Sequence, residues 1–414
     1  MIKKLSLSVL RIHDFRLLLV IRMFVIMTLQ SQAVIVGWQI YSMTKNTFLL
    51  GLTGLAEALP ALACAIFAGH IVDISHPRKI YTAGIAVLTL NTLGLFLIAG
   101  EVLPVSQHAL LLYIFSGVFI SGIVRSFIMP AVFSLVPIIV SRAEIPAATA
   151  WLSASAQTAI VSSPAIAGLV YGGYGARGAW MLPTLLISMA FLTVNFLRTA
   201  HSRDREKREP AMHSIRAGWG FILRTPALLS VMALDMFAVL FGGAVAMLPA
   251  YADQILHVGS EGLGVLRAAP ALGAVITALV LAFHPMKRIT AIRLLWVVAG
   301  FGVCMIGFGL STMFWLSILF LVLSGCFDSV SMLIRSTMMQ LLTPENMRGR
   351  ISAINSMFII SSNEIGAFES GTAARFLGLV PSVVMGGVAT LLIVAATALL
   401  SPKMRRTVVE ANKE

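Results

Sequence analysis

Charged side chains are scarce in this chain, at 11% of its 414 residues, where a typical soluble domain carries about 25%. That scarcity excludes a water-soluble enzyme and a disordered protein alike. Cysteine is scarcer still. Cys64, Cys304 and Cys326 all stand inside apolar stretches, so no disulfide framework follows from them. The histidines, His70, His76, His257 and His284 among them, fall in loops or at helix ends. A transition-metal centre in the apolar body would lack its usual nitrogen ligands. No Gly-x-Ser-x-Gly elbow, His-Glu-x-x-His pair or phosphate-binding loop occurs, which argues against an embedded hydrolase, a zinc protease and direct drive by ATP. The chain is expected to be no enzyme, with no cofactor and no metal.

What is abundant is apolar, at 58% of the residues. A helix needs roughly 20 apolar residues to cross the hydrocarbon core, and the sequence holds twelve such runs: 17–43, 48–72, 80–100, 109–138, 146–172, 179–197, 227–251, 263–283, 291–310, 314–340, 351–373 and 380–400. The expected fold is an all-α membrane protein of twelve transmembrane helices. Connections such as Thr44–Thr47 and Ser311–Met313 are short, as between antiparallel neighbours. The exception is the charged stretch from Arg198 to Arg224, whose part from Met212 to Leu223 has the pattern of an amphipathic helix on the inner surface. Lys3, Lys4 and Arg11 ahead of an apolar run reaching Ser31-Gln32-Ala33 imitate a secretory leader. The run continues to Met43 and is read as an uncleaved first helix.

Lys and Arg number 30 against 17 Asp and Glu, a formal charge of +13. In so apolar a chain that excess belongs to cytoplasmic loops against anionic lipid rather than to nucleic acid. With the N-terminus in the cytoplasm, only Lys45, Arg177 and Arg375 fall outside, while Arg22, Arg125, Arg267 and Arg335 lie within spans. Both termini are therefore expected to be cytoplasmic.

The two halves can be laid over each other. Gly54-Leu55-Ala56-Glu57-Ala58-Leu59-Pro60-Ala61-Leu62 matches Gly264-Val265-Leu266-Arg267-Ala268-Ala269-Pro270-Ala271-Leu272 at an offset of 210, and Arg125-Ser126 matches Arg335-Ser336 at the same offset. His76-Pro77-Arg78-Lys79 answers His284-Pro285-Met286-Lys287-Arg288, Ile160-Val161-Ser162-Ser163 answers Ile359-Ile360-Ser361-Ser362, and Arg22-Met23-Phe24 answers Asp235-Met236-Phe237. Matches in one order, six spans apart, imply a parallel repeat about an axis along the membrane normal, as transporters have. The expected organisation is a six-helix half over 1–197, a cytoplasmic linker over 198–226, and a second six-helix half with a short tail over 227–414, related by pseudo-two-fold symmetry.

Nine ionisable residues lie within the spans: Arg22, Glu57, Arg125, Asp235, Arg267, Asp328, Arg335, Glu364 and Glu369. Each costs roughly 2.5–3.5 kcal/mol at a helix centre on insertion scales, so each should face a cavity or a partner. None falls in spans 3, 6, 9 or 12, which suits those four to an outer, lipid-facing layer. Two readings stand for Arg335 and Arg267, snorkelling to the interface or function. Glu369 is either wet or functional, and Arg22 with Asp235 could form an ion pair between halves. Glu57, Arg125, Asp328 and Glu364 lie nearer mid-membrane. A carboxyl shielded from water can exchange a proton near neutral pH, which is the chemistry that couples a proton gradient to transport.

The stretch Thr343-Pro344-Glu345-Asn346-Met347-Arg348-Gly349-Arg350-Ile351, followed by Ser361-Ser362-Asn363-Glu364-Ile365-Gly366, resembles the bacterial major facilitator superfamily, and within it the efflux branch that contains the enterobactin exporter. Arg125-x-Phe127-x-x-Pro130-Ala131 with Pro137 resembles that branch as well. Gly69-x-x-x-Asp73 followed by Pro77-Arg78-Lys79 is similar to the superfamily's gating-loop motif, though Ile74 replaces its usual Arg. Span 5 reads Ser163-Pro164-Ala165-Ile166-Ala167-Gly168 where proton-driven drug antiporters carry Gly-Pro-x-x-Gly-Gly. The resemblance implies a monomer in the bacterial cytoplasmic membrane that works by alternating access on a small-molecule substrate, with protons as the coupling ion. Proton-coupling candidates are Glu364, Asp328, Asp235 and Glu57. Candidates for substrate binding or charge pairing are Arg125, Arg22, Asn363, Asn355 and Glu369, and the gating set is Gly69, Asp73, Arg78, Lys79, Arg348 and Arg350. The favoured expectation is export of a siderophore, drug or metabolite. The alternatives are an importer or uncoupled carrier of a nutrient, lysolipid or divalent metal, and a transport-dead sensor.

Overall fold

In lipid the backbone finds no water to bond, so an apolar run must close its hydrogen bonds within itself, and a helix does so. The computed structural model describes residues 7–198, 219–284, 286, 288–344, 347–400 and 408–410. Its long helices are α1 (His13–Thr44), α2 (Thr47–Ile74), α3 (Pro77–Ile98), α4 (Gln107–Ile139), α5 (Ile145–Val194), α6 (Pro226–Phe241), α7 (Gly259–Phe283), α8 (Ala291–Leu310), α9 (Phe314–Leu342), α10 (Arg348–Leu377) and α11 (Leu379–Leu400). Among the described residues, 10 helices are long and apolar enough to cross a membrane. The chain is a multi-pass membrane protein. Helix α10 stands outside that set despite its 30 residues, because Asn355, Asn363, Glu364 and Glu369 dilute its hydropathy.

Two expectations change and one is refined. Spans 5 and 6 are two helical arms joined without a loop, α5, whose one non-helical residue is Gly175 at φ 63 and ψ −165. The helix turns back there. Ser163 on its first arm donates to the carbonyl of Met27, and the Thr28 hydroxyl reaches the carbonyl of Pro183 on its second arm. Nearer the bend, Tyr171 packs on Trp38 and Trp180 donates to Gln39. The seventh span is not one helix. It stops at Gly242 and continues as a 3-10 turn (Ala244–Met247), three α-helical residues and a π-helical turn (Tyr251–Ile255). Irregular backbone at membrane depth survives only inside protein, and Met247, Leu248 and Tyr251 are fully buried. Beyond the helices, Arg288–Thr290 pairs antiparallel with Val408–Glu410, a register that no periodicity in so short a run announces. The amphipathic stretch expected from Met212 lies outside the described residues up to 218. Its end at 219–224 is helical, with Ile222 buried among Met339, Ile351 and Ile354.

The helices gather into two compact units. The first comprises Met1–Thr44, Ala56–Lys207 and Gly259–Ala268, and the second Lys45–Leu55, Arg208–Val258 and Ala269–Glu414. In the first, α1 lies along α5, and α3 packs on α4 and α5. Its core joins Leu18, Ile21 and Val25 of α1 to Tyr81, Ile85 and Leu88 of α3. In the second, α8 packs on α9 and α11, and α6 on α10 and α11.

Neither unit is a plain half of the sequence, since the first turns of α2 belong to the second unit and those of α7 to the first. Both exchanges rest on backbone-to-backbone contact. A Cβ on Gly371 would lie 2.7 Å from the Cα of Gly51, and one on Gly168 would lie 2.7 Å from the Cα of Gly264. The repeat register relates them. Gly54, at 2.8 Å from Ala367 by the same measure, answers Gly264, and the serine match carries Ala367 onto Gly168 and Gly371 onto Gly172. Overpacking such a contact costs about 1–3 kcal/mol. Gly168→Val and Gly371→Val are each expected to lower the thermal midpoint of the purified protein. Gly173→Ala, with nothing within 4 Å of its new Cβ, is expected to leave it unchanged or raise it slightly. Equal midpoints for all three variants would refute close approach as the role of these glycines.

Candidate functional site

In the first unit, Arg125 of α4 reaches Glu57 of α2, Nη1 to Oε1 at 2.8 Å. Gly122, one turn before the arginine, lets the helices meet, because a side chain there would strike the carbonyl of Glu57 and the Pro60 ring. The pair is only partly buried, with the Arg125 side chain 44% exposed and that of Glu57 25%. An ion pair in that setting is worth about 0–1 kcal/mol, so a ligand can displace it cheaply. Arg22 of α1 is half-buried and makes no ion pair or hydrogen bond among the described residues. Arg267 is half-buried, and its Nη1 donates to the carbonyl of Ala33 at 3.3 Å.

The second unit differs. Asp235 of α6 is bonded to Arg335 of α9, and both are buried, 8% exposed each. Arg335 is thus held inside the protein, because the packing of α6 on α9 brings an acid within its reach. The pairing of Asp235 with Arg22 gives way to the same contact. Asp328 sits at the midpoint of the 29 residues of α9, exposed, with no protein partner among the described residues. Glu364 is half-buried, its Oε2 3.2 Å from where a Gly54 Cβ would stand. Glu369 accepts from the Ser370 hydroxyl at 3.5 Å. Asn363 is exposed and Asn355 half-buried.

Of the gating set, Gly69 and Asp73 fall in the last turns of α2, and Arg348 and Arg350 open α10, with their surroundings outside what the structure describes. Glu345 and Asn346 lie outside the described residues too. Arg78 donates to the carbonyl of Asn195 at 3.4 Å, and Lys79 is exposed.

Sequence reasoning passed over a buried polar network in the first unit. Gln32 and Asn91 both donate to Ser121, at 3.0 and 3.1 Å, Ser31 meets Ser163 at 2.8 Å, and Gln39 links Trp180 to the carbonyl of Ala99. The signal was there: Thr28, Ser31, Gln32 and Gln39 recur at helical spacing on one face of an apolar run. The bridge from Lys45 to Asp253, 2.7 Å in the second unit, had no such signal.

Charge is divided unevenly. Of the nine intramembrane residues, the first unit holds Arg22, Arg125 and Arg267 against Glu57, and the second holds Asp235, Asp328, Glu364 and Glu369 against Arg335.

The profile of the family described as transmembrane secretion effector matches residues 5–413. The enterobactin exporter EntS of Shigella boydii serotype 4 (strain Sb227) is 28% identical over 97% of this chain and 95% of its own length. That of Escherichia coli O81 (strain ED1a) is 27% identical over the same shares. Among solved structures, the nucleoside transporter NupG superposes with a TM-score of 0.72 over 94% of this chain and 100% of its own, at 11% identity. A bacterial homologue of the human lysosomal transporter Spinster, inward-facing and unoccupied, does so at 0.69 over 94% and 98%, at 13% identity.

Proposed function

Because the chain belongs to the transmembrane secretion effector family of major facilitator transporters, and is a transporter and not an enzyme, we propose that it exports a small amphipathic molecule by proton antiport. The substrate class is a siderophore, drug or metabolite bearing an acidic group. The direction rests on the exporters it is similar to, and the acidic group on the arginine excess of the first unit.

The chain crosses the bacterial cytoplasmic membrane twelve times, with both termini inside, α5 supplying two crossings and α10 one. At 1.5 Å per residue the arms of α5 before and after Gly175 are roughly 45 and 29 Å long, each about enough for the ~30 Å core, and the bend at Gly175 suits a return. The halves, 1–197 and 227–414 about the 198–226 linker, are related by the repeat and work by alternating access. The exchanged, repeat-related glycine contacts support that symmetry.

Asp328 carries the coupling. A carboxylate exposed at mid-helix without a counter-charge is stable in a bilayer only where it faces water. A proton from outside neutralises it, and its loss inside restores the charge. Glu364 is the second protonatable group, and Asp235 is held in reserve by Arg335. Arg125 leaves Glu57 for the acidic group of the substrate, and Asn363, Asn355 and Glu369 line its route. The protein works as a monomer.

Proton release from acidified inside-out vesicles, followed with a pH-sensitive dye, tests this. Lipophilic cations, antibiotics and catecholate siderophores are added in turn. A substrate-dependent signal that is lost in Glu364→Gln is the expected result. Silence across the panel from folded, oriented protein would refute proton antiport, and a full signal from the variant would remove Glu364 from it.

A further inference from the structure

The buried network of the first unit ends, on its α3 side, at Asn91. The Nδ2 of that residue donates to the carbonyl of Gly117 at 3.0 Å and to the Ser121 hydroxyl at 3.1 Å, which spends both amide protons. Its Oδ1 lies 3.1 Å from where a Gly117 Cβ would stand, and it accepts no hydrogen bond among the described residues. Asn91 is 9% exposed. It lines a cavity of about 280 Å³ between α3 and α4, together with Gly117, Tyr113, Ser116 and the apolar Val87, Leu90 and Ile120.

Tyr113 of α4 brings a donor to the same space. A side chain on Gly94 would strike its hydroxyl, so the phenol leans against α3 one turn from Asn91. That hydroxyl makes no hydrogen bond among the described residues. Ser116 spends its own proton on the carbonyl of Leu112 at 2.7 Å. Asn91 and Gly94 share one face of α3, and Tyr113 and Gly117 one face of α4, so the unspent acceptor and the unspent donor meet in one groove. Its rim is apolar and open, with Leu90 70% and Val87 43% exposed. In hydrocarbon an unmade hydrogen bond finds no water to complete it.

The chemistry of the lining selects the occupant. No charged side chain lines the cavity, so a phosphate, carboxylate or ammonium group would enter without a counter-charge. A hydroxyl both donates and accepts, and it answers Asn91 and Tyr113 together. We propose that this groove holds one uncharged bilayer lipid of the diacylglycerol type. Its free hydroxyl accepts from Tyr113 and donates to Asn91 Oδ1, and one acyl chain lies along Val87, Leu90 and Ile120. The volume is near the ~300 Å³ lower bound of small-molecule pockets, which suits the glycerol end and the start of a chain. Tyr113 and Asn91 each stand about 10 Å along their helices from the nearer ends, Gln107 and Ile98, at 1.5 Å per residue. A lipid without a charged head group can sink to that level. Bound there, it ties α3 to α4 beside the link from Ser121 to Gln32 of α1.

The test uses full-length protein in phosphatidylcholine nanodiscs. It receives a diacylglycerol carrying a photoreactive diazirine in one acyl chain or, in parallel, the same molecule with its hydroxyl acetylated. Adducts are mapped by peptide mass spectrometry. The hydroxyl-bearing probe is expected to concentrate on residues 87–94 and 113–120 and to be displaced there by excess unlabelled diacylglycerol. The acetylated probe is expected to spread over exposed apolar helix faces. Tyr113→Phe weakens the site about two- to tenfold, the loss of one neutral hydrogen bond. Leu90→Trp, which fills the groove and leaves the bonds of Asn91 in place, abolishes the enrichment. Equal labelling by the two probes, an even spread of adducts, or full enrichment in either variant would overturn the proposal. No proton gradient or turnover enters these readouts, so the lipid site and the antiport mechanism stand or fall apart.

Discussion

Replacing Asp235 with alanine is expected to destabilise the protein by about 3–5 kcal/mol, the cost of leaving one member of a buried pair uncompensated. The Arg335 side chain is 10% exposed and that of Asp235 11%, so water cannot take over the solvation of the abandoned guanidinium. Its remaining bond, from Nε to the carbonyl of Ser331 at 3.4 Å, is long and cannot neutralise the charge. The thermal midpoint should fall by about 3–6 °C. Removing both charges, as in Asp235→Leu with Arg335→Met, is expected to return the midpoint close to wild type, since a buried pair often contributes little net stability over apolar residues of similar volume. Glu57→Gln makes the contrast. Its pair with Arg125 has the same chemistry but is only partly buried, and its loss should cost about 0–1 kcal/mol. If Asp235→Ala and Glu57→Gln shift the midpoint equally, burial does not separate the two pairs as described.

Asp328→Asn is expected to leave the fold intact and to abolish the stimulation of transport by an imposed pH gradient. The side chains are nearly isosteric, and Asp328 has no partner among the described residues to lose. What disappears is the charge that a proton can cancel. A coupling free energy of ~1–3 kcal/mol between two sites changes affinity up to about 150-fold, and the gradient-driven component should fall by a factor of that order. Counterflow of substrate without a gradient should persist, because it needs alternating access and no proton. Gradient stimulation that survives in Asp328→Asn would move the coupling to Glu364 or away from the acids altogether. Loss of counterflow together with stimulation would make Asp328 a substrate contact.

The sequence was most legible where the physics is local. Apolar runs near 20 residues locate helices because each residue carries its own transfer free energy. The repeat is likewise a one-dimensional pattern, and it relates Gly54 and Gly264 before any contact between them and their partners is known. Legibility declined at the ends of such runs. Two runs separated by Gly172-Gly173-Tyr174-Gly175 read as separate helices, and the turn between them narrows to a single residue at positive φ, Gly175. The seventh run is uniformly apolar, so hydropathy could not show that its helix breaks after Phe241.

By itself the sequence determined that this chain lives in a bilayer, that short residue patterns recur in the same order in its two halves, and that nine charges in its apolar runs must find a cavity or a counter-charge. Tertiary structure decided which of them do so within the protein. Glu57 and Arg125 are separated by 68 residues, and Asp235 and Arg335 by still more. Ion pairing depends on distance and solvent access, and neither is written along the chain. The repeat even pointed the wrong way, since it set Arg22 opposite Asp235 as natural partners. Packing of α6 on α9 gave the aspartate to Arg335 instead, and left Arg22 without an ion pair among the described residues.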